Sequence, residues 1–290
     1  MRSFKAVLLS KFILPKIQKQ YFTVKGDVSD LKEIDYEIPD SIKFCCEVKK
    51  TIYQGRKIFI LNDNTESKTT VFYFHGGGFV LEFFSSQWNF VNDIIKKSNV
   101  RVIAIDYRLI PFGNYNDAFN LIIPFYKEYI DKHDENIAFM GDSAGGNLST
   151  TLYYELLKQN IPLPKQMILI SPWVDLSSTN PDIDKYIKKD TLLTKKGLLL
   201  AGRTWSKGID IKDDKVSPLY GDIKNINNTI MFYGDHDLLY PDGKLFADEL
   251  VKNPSNHVYF KKGMNHVYPL YPIREAKEAR KIIVDYLKNR

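Results

Sequence analysis

The chain has 290 residues, which is enough for one large domain or two small ones. Hydrophobic residues make up 44% of it, so a sizeable core can form. The formal net charge is +6, from 41 basic and 35 acidic residues spread along the chain. We expect no nucleic-acid partner, because such a partner requires a concentrated basic stripe. No apolar run approaches the roughly 18 residues of a membrane-spanning helix, so stable membrane insertion is not expected.

The N-terminal segment mixes apolar and basic residues. Lys11 and Lys16 interrupt its apolar run, and no small-residue cleavage site follows, which argues against a secretion signal. We expect instead an amphipathic helix that packs on the body of the protein, with attachment to a membrane surface as the minority alternative. The apolar stripe of this predicted helix consists of Phe4, Val7, Leu8 and Phe12.

Cys45 and Cys46 are adjacent, and they are the only cysteines in the chain. Adjacent cysteines rarely bridge well, and two alone make neither a disulfide framework nor a zinc site. Reduced thiols are typical of a cytoplasmic protein, which is the location we expect.

Short apolar runs of β-strand type alternate with longer helical patterns from about residue 50 onward. The predicted strands cover 57–62, 70–75, 100–107, 136–141, 166–171, 229–234 and 257–262. The predicted helices cover 86–97, 115–131, 144–159, 242–252 and 273–289. Apolar strands separated by helices indicate an α/β fold whose largely parallel sheet is covered on both faces.

Two stretches depart from this rhythm. Residues 177–215 have helical pattern but no clear strand, and residues 1–50 are also unlike the repeating unit. An insertion between two late strands would lie above their carboxyl ends, where open α/β sheets bind ligands. We therefore expect both stretches to form a helical cap. No repeat or linker divides the chain, so a single domain over 1–290 is expected.

Residues 141–145 read GDSAG, directly after a predicted buried strand and at the start of a predicted helix. A turn this tight gives the central Ser143 strained backbone angles and leaves room only for glycine two residues to either side. The serine hydroxyl then lies at a helix N-terminus, which favours developing negative charge. The motif predicts a nucleophilic serine. The alternative is a plain glycine-rich turn with Ser143 as helix N-cap.

Upstream, a predicted strand runs into HGGGF at residues 75–79. Glycines let backbone N–H groups approach a substrate oxygen, as an oxyanion hole requires, and the N–H of Ala144 would be a further donor. The alternative is a phosphate-binding loop. However, no Lys-Ser/Thr pair follows the glycines, and the pattern G-x-G-x-x-G is absent.

A serine hydroxyl needs a base that is held by a third group. His266 follows the last predicted strand, at the sheet edge where loops gather over a site. In α/β-hydrolases the acid precedes the histidine and follows the serine, so it should come from a strand end between residues 143 and 266. Asp235, Asp237 and Asp242 lie on or near the right loop, and Asp237 is favoured because it lies just past the strand end.

Six stretches together resemble the hormone-sensitive-lipase-like family of α/β-hydrolases over about residues 70–270. They are HGGGFV (75–80), DYRL (106–109), GDSAGGNL (141–148), SPWVDLS (171–177), GDHDLL (234–239) and GMNHVY (263–268). The resemblance implies an eight-stranded, mostly parallel sheet flanked by helices, with a helical cap. It implies a catalytic triad of Ser143, Asp237 and His266. The implied oxyanion donors are Gly77, Gly78 and Ala144, with His75 and Gly76 shaping the loop.

Three features of the chain depart from the family pattern. After DYRL the chain reads IPFGN at 110–114, where the family usually has Ala-Pro-Glu. Glu82 stands where glycine is common, and Val267–Tyr268 follow the histidine where Gly-Phe is frequent. These departures remove no catalytic group but could reshape the pocket. Its candidate apolar walls, each equally consistent with the core, are Trp205, Phe83, Phe84 and Trp88.

The resemblance implies a carboxylesterase-type serine hydrolase that acts on short- to medium-chain acyl esters and needs no cofactor or metal. A deacetylase or amidase with the same triad is an alternative, and so is a non-catalytic small-ligand receptor. A peptidase is disfavoured because 290 residues leave no room for an added access-limiting domain. The expected partner is a small-molecule ester, and a homodimer is left open.

Overall fold

The computed structural model of the protein describes residues 2–17 and 31–289. Part of the predicted cap, residues 18–30, lies outside the described residues, as do the two terminal residues. Within the described ranges, none of the helices is long and apolar enough to cross a membrane.

An eight-stranded sheet forms the centre of the protein, with strands in the order β1-β2-β4-β3-β5-β6-β7-β8. β1 pairs antiparallel with β2, and β2 antiparallel with β4, whereas all the other neighbours are parallel. The predicted mostly parallel sheet is confirmed. The strands are β1 (Val48–Tyr53), β2 (Arg56–Leu61), β3 (Thr69–Phe74), β4 (Arg101–Ile105), β5 (Asn136–Asp142), β6 (Gln166–Ile170), β7 (Thr229–His236) and β8 (His257–Asn265).

The seven strands predicted by position are all present, and the edge strand β1 is the one that the apolar runs did not reveal. The four central residues of β1 are exposed, and Ile52 among them is 58% exposed. A strand held mainly by backbone pairing to β2 lacks the period-two apolar signal. By contrast, every residue of β3 and β6 is buried.

Helices cover the sheet close to the predicted positions. The N-terminal segment, residues 4–17, contains α1 and α2 with a π-helical turn, Leu9–Ile13, between them. α6 lies within the 177–215 insertion, where helical pattern was expected. The helices are α1 (Phe4–Leu8), α2 (Leu14–Ile17), α3 (Ser85–Ser98), α4 (Tyr115–Ile130), α5 (Ala144–Lys158), α6 (Lys195–Trp205), α7 (Tyr240–Leu250) and α8 (Arg274–Lys288).

The predicted packing face of the N-terminal segment is wrong. Phe4, Leu8 and Phe12 point to solvent, and Val7 is only partly buried. The face that contacts the body carries Ala6, Leu9, Ser10 and Leu14 instead. Apolar residues occur on all sides of this segment, so periodicity alone could not choose the buried face.

Candidate active site

A sharp turn at the end of β5 presents Ser143. β5 ends at Asp142 and α5 begins at Ala144, so the serine occupies the junction with φ 54° and ψ −117°. A Cβ atom on Gly145 would lie 1.9 Å from the carbonyl oxygen of Phe74, and one on Gly141 would lie 2.2 Å from the carbonyl oxygen of Gly145. Only glycine fits at both positions, which explains the spacing of the motif.

Ser143, His266 and Asp237 form a hydrogen-bonded chain of buried side chains. Oγ of Ser143 lies 2.9 Å from Nε2 of His266, and Nδ1 of His266 lies 2.8 Å from Oδ2 of Asp237. Because an ionised carboxylate only accepts, Nδ1 carries the proton and Nε2 is left to accept from the serine hydroxyl. Their exposed fractions are 7%, 2% and 0% in the order serine, histidine, aspartate.

The surroundings of His266 stabilise the protonated form of its imidazole more than water does for an isolated histidine. Burial acts to lower the pKa of His266, but the adjacent charge and hydrogen bond of Asp237 oppose that effect. The charges of Asp190 and Asp142 act in the same direction, so the net pKa is raised above its ordinary value of 6.5. The side chain is therefore prepared to take up a proton beside the serine.

The other two aspartates near β7 do not contact the histidine ring. Oδ1 of Asp235 accepts the backbone N–H of Gly263. Oδ1 of Asp242 accepts a hydrogen bond of 2.8 Å from the side chain of Asn180. The structure thus brings Asp237 to the predicted serine and histidine, and leaves Asp235 and Asp242 in other hydrogen bonds.

The glycine loop after β3 lies against the serine. Gly77 has φ 128° and Gly78 φ 66°, and Gly77 lines the same cavity as Ser143. Both residues lie in a backbone region that favours glycine. Ala144 is the first residue of α5, so its N–H is one of those that a helix leaves without an intrahelical acceptor.

His75 stabilises this loop from the core. Its ring stacks on Tyr107 at 4.5 Å between centroids, and its Nδ1 donates to the carbonyl oxygen of Gly76 at 2.8 Å. Burial lowers the pKa of His75 to about 4, so the ring is neutral at physiological pH. The hydroxyl of Tyr107 donates to the backbone oxygen of His75 at 2.6 Å. These contacts place the ring of His75 behind the glycine loop, in the core.

Asp142 ties the glycine loop to the nucleophile turn. Its buried carboxylate accepts hydrogen bonds from Tyr73 Oη at 2.5 Å, the Gly76 N–H at 3.2 Å and Gln87 Nε2 at 3.0 Å. Gln87 lies in the first turn of α3 and was not identified from the sequence. An amphipathic helix carries many polar residues, so nothing in the sequence pattern distinguishes Gln87 from the others.

Asp190 is a further buried acid that the sequence did not reveal. Its Oδ1 accepts the N–H groups of Leu192 and Leu193 at 2.7 and 2.9 Å. Its Oδ2 accepts the N–H of Leu238, next to Asp237, at 2.7 Å. Burial, together with the charge of Asp237, raises the pKa of Asp190 to about 6. The 177–215 insertion is thereby connected to the loop that holds Asp237.

A small cavity of about 70 Å³ opens in front of the serine. A single water molecule needs about 10–15 Å³ of volume measured in this way, so the cavity has room for a few waters or a small group. Its polar part consists of Gly77, Ser86, Gln87, Asp142, Ser143 and His266. Its apolar part consists of Ile17, Phe84, Leu192, Leu193, Val267, Leu270 and Tyr271.

Of the four candidate wall residues, Phe84 lines this cavity. The other three belong to the core: Trp205 stacks on Phe79 at 3.9 Å, and Phe83 stacks on Trp88 at 4.5 Å. Large aromatic residues near a motif do not by themselves reveal which will face a cavity.

Two of the departures from the family pattern, Val267 and Glu82, have distinct environments. Val267 adopts φ 49° and lines the cavity, in a conformation that a β-branched residue rarely takes. Glu82 is largely buried near Asp106, whose carboxylate also accepts from Arg56 at 2.8 Å. Burial and the charge of Asp106 raise the pKa of Glu82 to about 8.

Among the residues that the structure describes, no group of three or more His, Cys, Asp and Glu side chains could hold a metal ion. The chemistry that the arrangement offers is that of a polarised serine hydroxyl beside a base and a set of backbone donors.

The sequence pattern of the alpha/beta hydrolase fold family matches residues 71–270, which is more than half of the chain. The chain belongs to this family. The matched range is nearly the one over which the six motifs are distributed. The predicted family and the predicted α/β-hydrolase fold are both confirmed.

Curated relatives and solved structures of this family agree with the motif analysis. The chain is 28% identical over 223 residues to an esterase of Acinetobacter venetianus, covering 74% of this chain and 73% of that one. It is 27% identical to an ethyl acetate hydrolase of Pseudomonas putida, covering 65% of this chain and 62% of that one. An esterase of the bacterial hormone-sensitive lipase family has the same fold, with a TM-score of 0.83, 20% identity and 99% of each chain covered. The predicted carboxylesterase-type hydrolase class is confirmed.

Proposed function

We propose that the protein is a serine carboxylic ester hydrolase that works through a covalent acyl-enzyme, with Ser143, His266 and Asp237 as its catalytic triad. The observation that carries the proposal is the hydrogen-bonded chain from Oγ of Ser143 through His266 to Asp237. Ser143, at one end of this series of hydrogen bonds, lines a cavity that Gly77 of the glycine loop also lines. The motif GDSAG alone would not distinguish a nucleophile from a helix cap.

In the first step, Nε2 of His266 takes the proton of the Ser143 hydroxyl as Oγ attacks the ester carbonyl carbon. Asp237 keeps the Nδ1 proton in place and stabilises the imidazolium that forms. The carbonyl oxygen becomes an oxyanion, which the N–H groups of Gly77, Gly78 and Ala144 stabilise. His266 then donates its proton to the departing alcohol oxygen, and the C–O bond breaks.

In the second step, water replaces the alcohol. His266 removes a proton from this water, whose oxygen attacks the acyl carbon of the Ser143 ester. The same oxyanion donors serve again, and the tetrahedral intermediate collapses when the proton passes from His266 to Oγ. The carboxylic acid leaves and the serine is restored without a cofactor.

The size of the cavity supports short acyl groups at the lower end of the expected range. A volume of about 70 Å³ suits an acetyl to butyryl group better than a long chain. The name of the ethyl acetate hydrolase relative points to the same end of the range.

A deacetylase is the second candidate because of the same cavity. An acetyl group fits it whether the leaving group is an alcohol or an amine, and one relative from Streptomyces hygroscopicus, 23% identical, is named an acetyl-hydrolase. An amide requires stronger protonation of its leaving nitrogen. Comparing p-nitrophenyl acetate with p-nitroacetanilide separates the two activities.

We also propose that a cap within one domain is formed by the part of residues 1–50 that precedes β1, which begins at Val48, and by residues 177–215. Ile17 from the first stretch, and Leu192 and Leu193 from the second, line the cavity and support this assignment. A cytoplasmic location is proposed on the basis of the two free, adjacent thiols, of which Cys45 is exposed.

A panel of p-nitrophenyl esters of increasing chain length tests the function. We expect kcat/KM to be greatest for acetate or butyrate, and Ser143→Ala to lower kcat on the order of 10⁴–10⁶-fold while the fold is retained. Ser41→Ala, at an exposed serine, is the matched control and should keep full activity. Undiminished hydrolysis by Ser143→Ala would overturn the proposal.

A further inference from the structure

The N-terminal segment, residues 4–17, presents large apolar side chains to solvent. Phe4 is 79% exposed, Phe12 59%, Ile13 45% and Leu8 42%. Phe4, Leu8 and Phe12 are spaced four residues apart, which places them along one side of the segment. Single exposed apolar residues are ordinary, but four on one short segment form a patch that calls for a partner.

The charge of this segment has one sign. Residues 2–17 contain Arg2, Lys5, Lys11 and Lys16 and no acidic residue, although the whole chain has 41 basic and 35 acidic residues. The three lysines are exposed alongside the apolar patch. Exposed apolar residues flanked by lysines are typical of helices that lie in the interface of a membrane, and their charge complements anionic lipid headgroups.

The patch is held in a fixed orientation by the opposite side of the segment. Ala6, Leu9 and Leu14 are buried against the body. Ser3 donates through its backbone N–H and its hydroxyl to the carboxylate of Glu275 in α8, at 2.5 and 2.7 Å. The exposed phenylalanines therefore cannot turn inward without breaking these contacts.

The segment also lies beside the catalytic cavity. Ile17, at its end, is one of the cavity's lining residues. Arg2, two residues before the segment, donates to Oδ1 of Asn265 at 3.3 Å, and Asn265 precedes His266 in the chain. A surface that binds the exposed patch would therefore contact the protein next to the opening in front of Ser143.

We propose that the outer side of residues 4–17 docks on an anionic lipid surface and places the mouth of the cavity at that surface. Docking requires only the apolar patch and the lysines. Hydrolysis of an ester carried in the lipid rests in addition on the proposed function. The two are separable because binding is measured on the inactive Ser143→Ala variant as well as on the active protein.

Co-sedimentation of the full chain with vesicles tests the docking. The vesicles are made of phosphatidylcholine alone or of phosphatidylcholine mixed with phosphatidylglycerol. We expect binding to the mixed vesicles that weakens with added salt, and much weaker binding to phosphatidylcholine alone. The double variant Phe4→Ser/Phe12→Ser should reduce binding at least about tenfold, since it removes apolar side chains that would enter the interface. Ser143→Ala should bind like the unaltered protein.

Two variants on other surfaces are the controls, and each is matched to a variant of the N-terminal segment. Ile52→Ser/Leu245→Ser alters two residues that are 58% and 52% exposed, and should leave binding unchanged. Lys5→Gln/Lys11→Gln/Lys16→Gln should weaken binding to the mixed vesicles about tenfold or more. Lys127→Gln/Lys132→Gln/Lys207→Gln, at three other exposed lysines, should not. Hydrolysis of dissolved p-nitrophenyl acetate should be the same in the two control variants, Ile52→Ser/Leu245→Ser and Lys127→Gln/Lys132→Gln/Lys207→Gln, as in the unaltered protein.

Three results would overturn the docking proposal. One is the absence of co-sedimentation with the mixed vesicles. Another is equal binding by the unaltered protein and Phe4→Ser/Phe12→Ser. The third is a lipid-free dimer that the same double variant dissociates in sedimentation velocity, because the patch would then be covered by a second copy of the chain.

Discussion

The carboxylate of Asp190 accepts a hydrogen bond from the backbone N–H of Leu238, the residue that follows Asp237, at 2.7 Å. The same side chain accepts two N–H groups of the insertion that lines the cavity. Asp190 is therefore placed to hold the loop of Asp237, the acid of the proposed triad, and the wall of the cavity in one arrangement, without lining the cavity itself.

Asp190→Asn should lower kcat about 10- to 100-fold, because small displacements of a catalytic group are costly. It should also move the acidic limb of the pH profile to lower pH, since the charge of Asp190 helps to raise the pKa of His266. A purely structural role would lower activity without moving that limb. Asp182→Asn, at an exposed residue of the same insertion, is the control and should change neither quantity.

The pH profile of the unaltered enzyme should report His266. The active form has a neutral imidazole, and its pKa is raised above 6.5, so kcat/KM should fall as pH decreases through a midpoint above 6.5. Steady-state rates measured with an uncharged ester between about pH 5 and pH 8 give this midpoint. A profile that stays flat over this range would be incompatible with a histidine base.

Asp237→Asn should lower kcat by about 10³–10⁴-fold, because an amide can no longer fix the imidazole with its proton on Nδ1. Asp235→Asn is the matched control, since Asp235 precedes it by two residues and accepts from the Gly263 N–H instead. The ratio of the two kcat values distinguishes the candidates. A larger loss of kcat in Asp235→Asn than in Asp237→Asn would show that the assignment of Asp237 as the acid is wrong.

The residues of the proposed triad could be singled out in the sequence because strong local constraints define their positions. Ser143 requires glycine on both sides, and His266 and Asp237 follow strand ends in a fixed chain order. Asp190 and Gln87 could not be found in this way, because each acts through contacts that are distant in sequence. Asp190 meets Leu238 across 48 residues, and Gln87 meets Asp142 across 55.

The two errors in predicting the fold from the sequence have similar causes. β1 is exposed and held by pairing with β2, so it carries no apolar pattern. The N-terminal segment has apolar residues all round, and tertiary contacts such as that between Ser3 and Glu275 decide which side is buried. Local sequence predicts that a helix forms there, but does not predict its rotation.

Glu82→Gln should stabilise the protein at alkaline pH. The pKa of Glu82 is raised from its ordinary 4.5 to about 8, so between these values the folded chain binds more protons than the unfolded chain. The free energy of unfolding contributed by this group therefore decreases as pH rises through that window. Glutamine does not ionise, so it brings no second negative charge beside Asp106 at any pH in this window.

Thermal unfolding at pH values below and above this window measures the effect. We expect the variant to gain on the order of 1 kcal/mol or more relative to the unaltered protein on going from acidic to alkaline pH. Glu66→Gln, at an exposed carboxylate, should show no such change. An unchanged difference in Tm across the window would mean that Glu82 does not titrate as a buried acid.

Labelling with a fluorophosphonate, followed by peptide mapping, tests the central claim most directly, because the reagent reacts with a serine that its neighbours activate. We predict a single phosphonylated residue, Ser143, with labelling abolished in Ser143→Ala and strongly slowed in His266→Ala. An unlabelled protein, or a label on another serine that survives in Ser143→Ala, would contradict the assignment of Ser143 as the nucleophile.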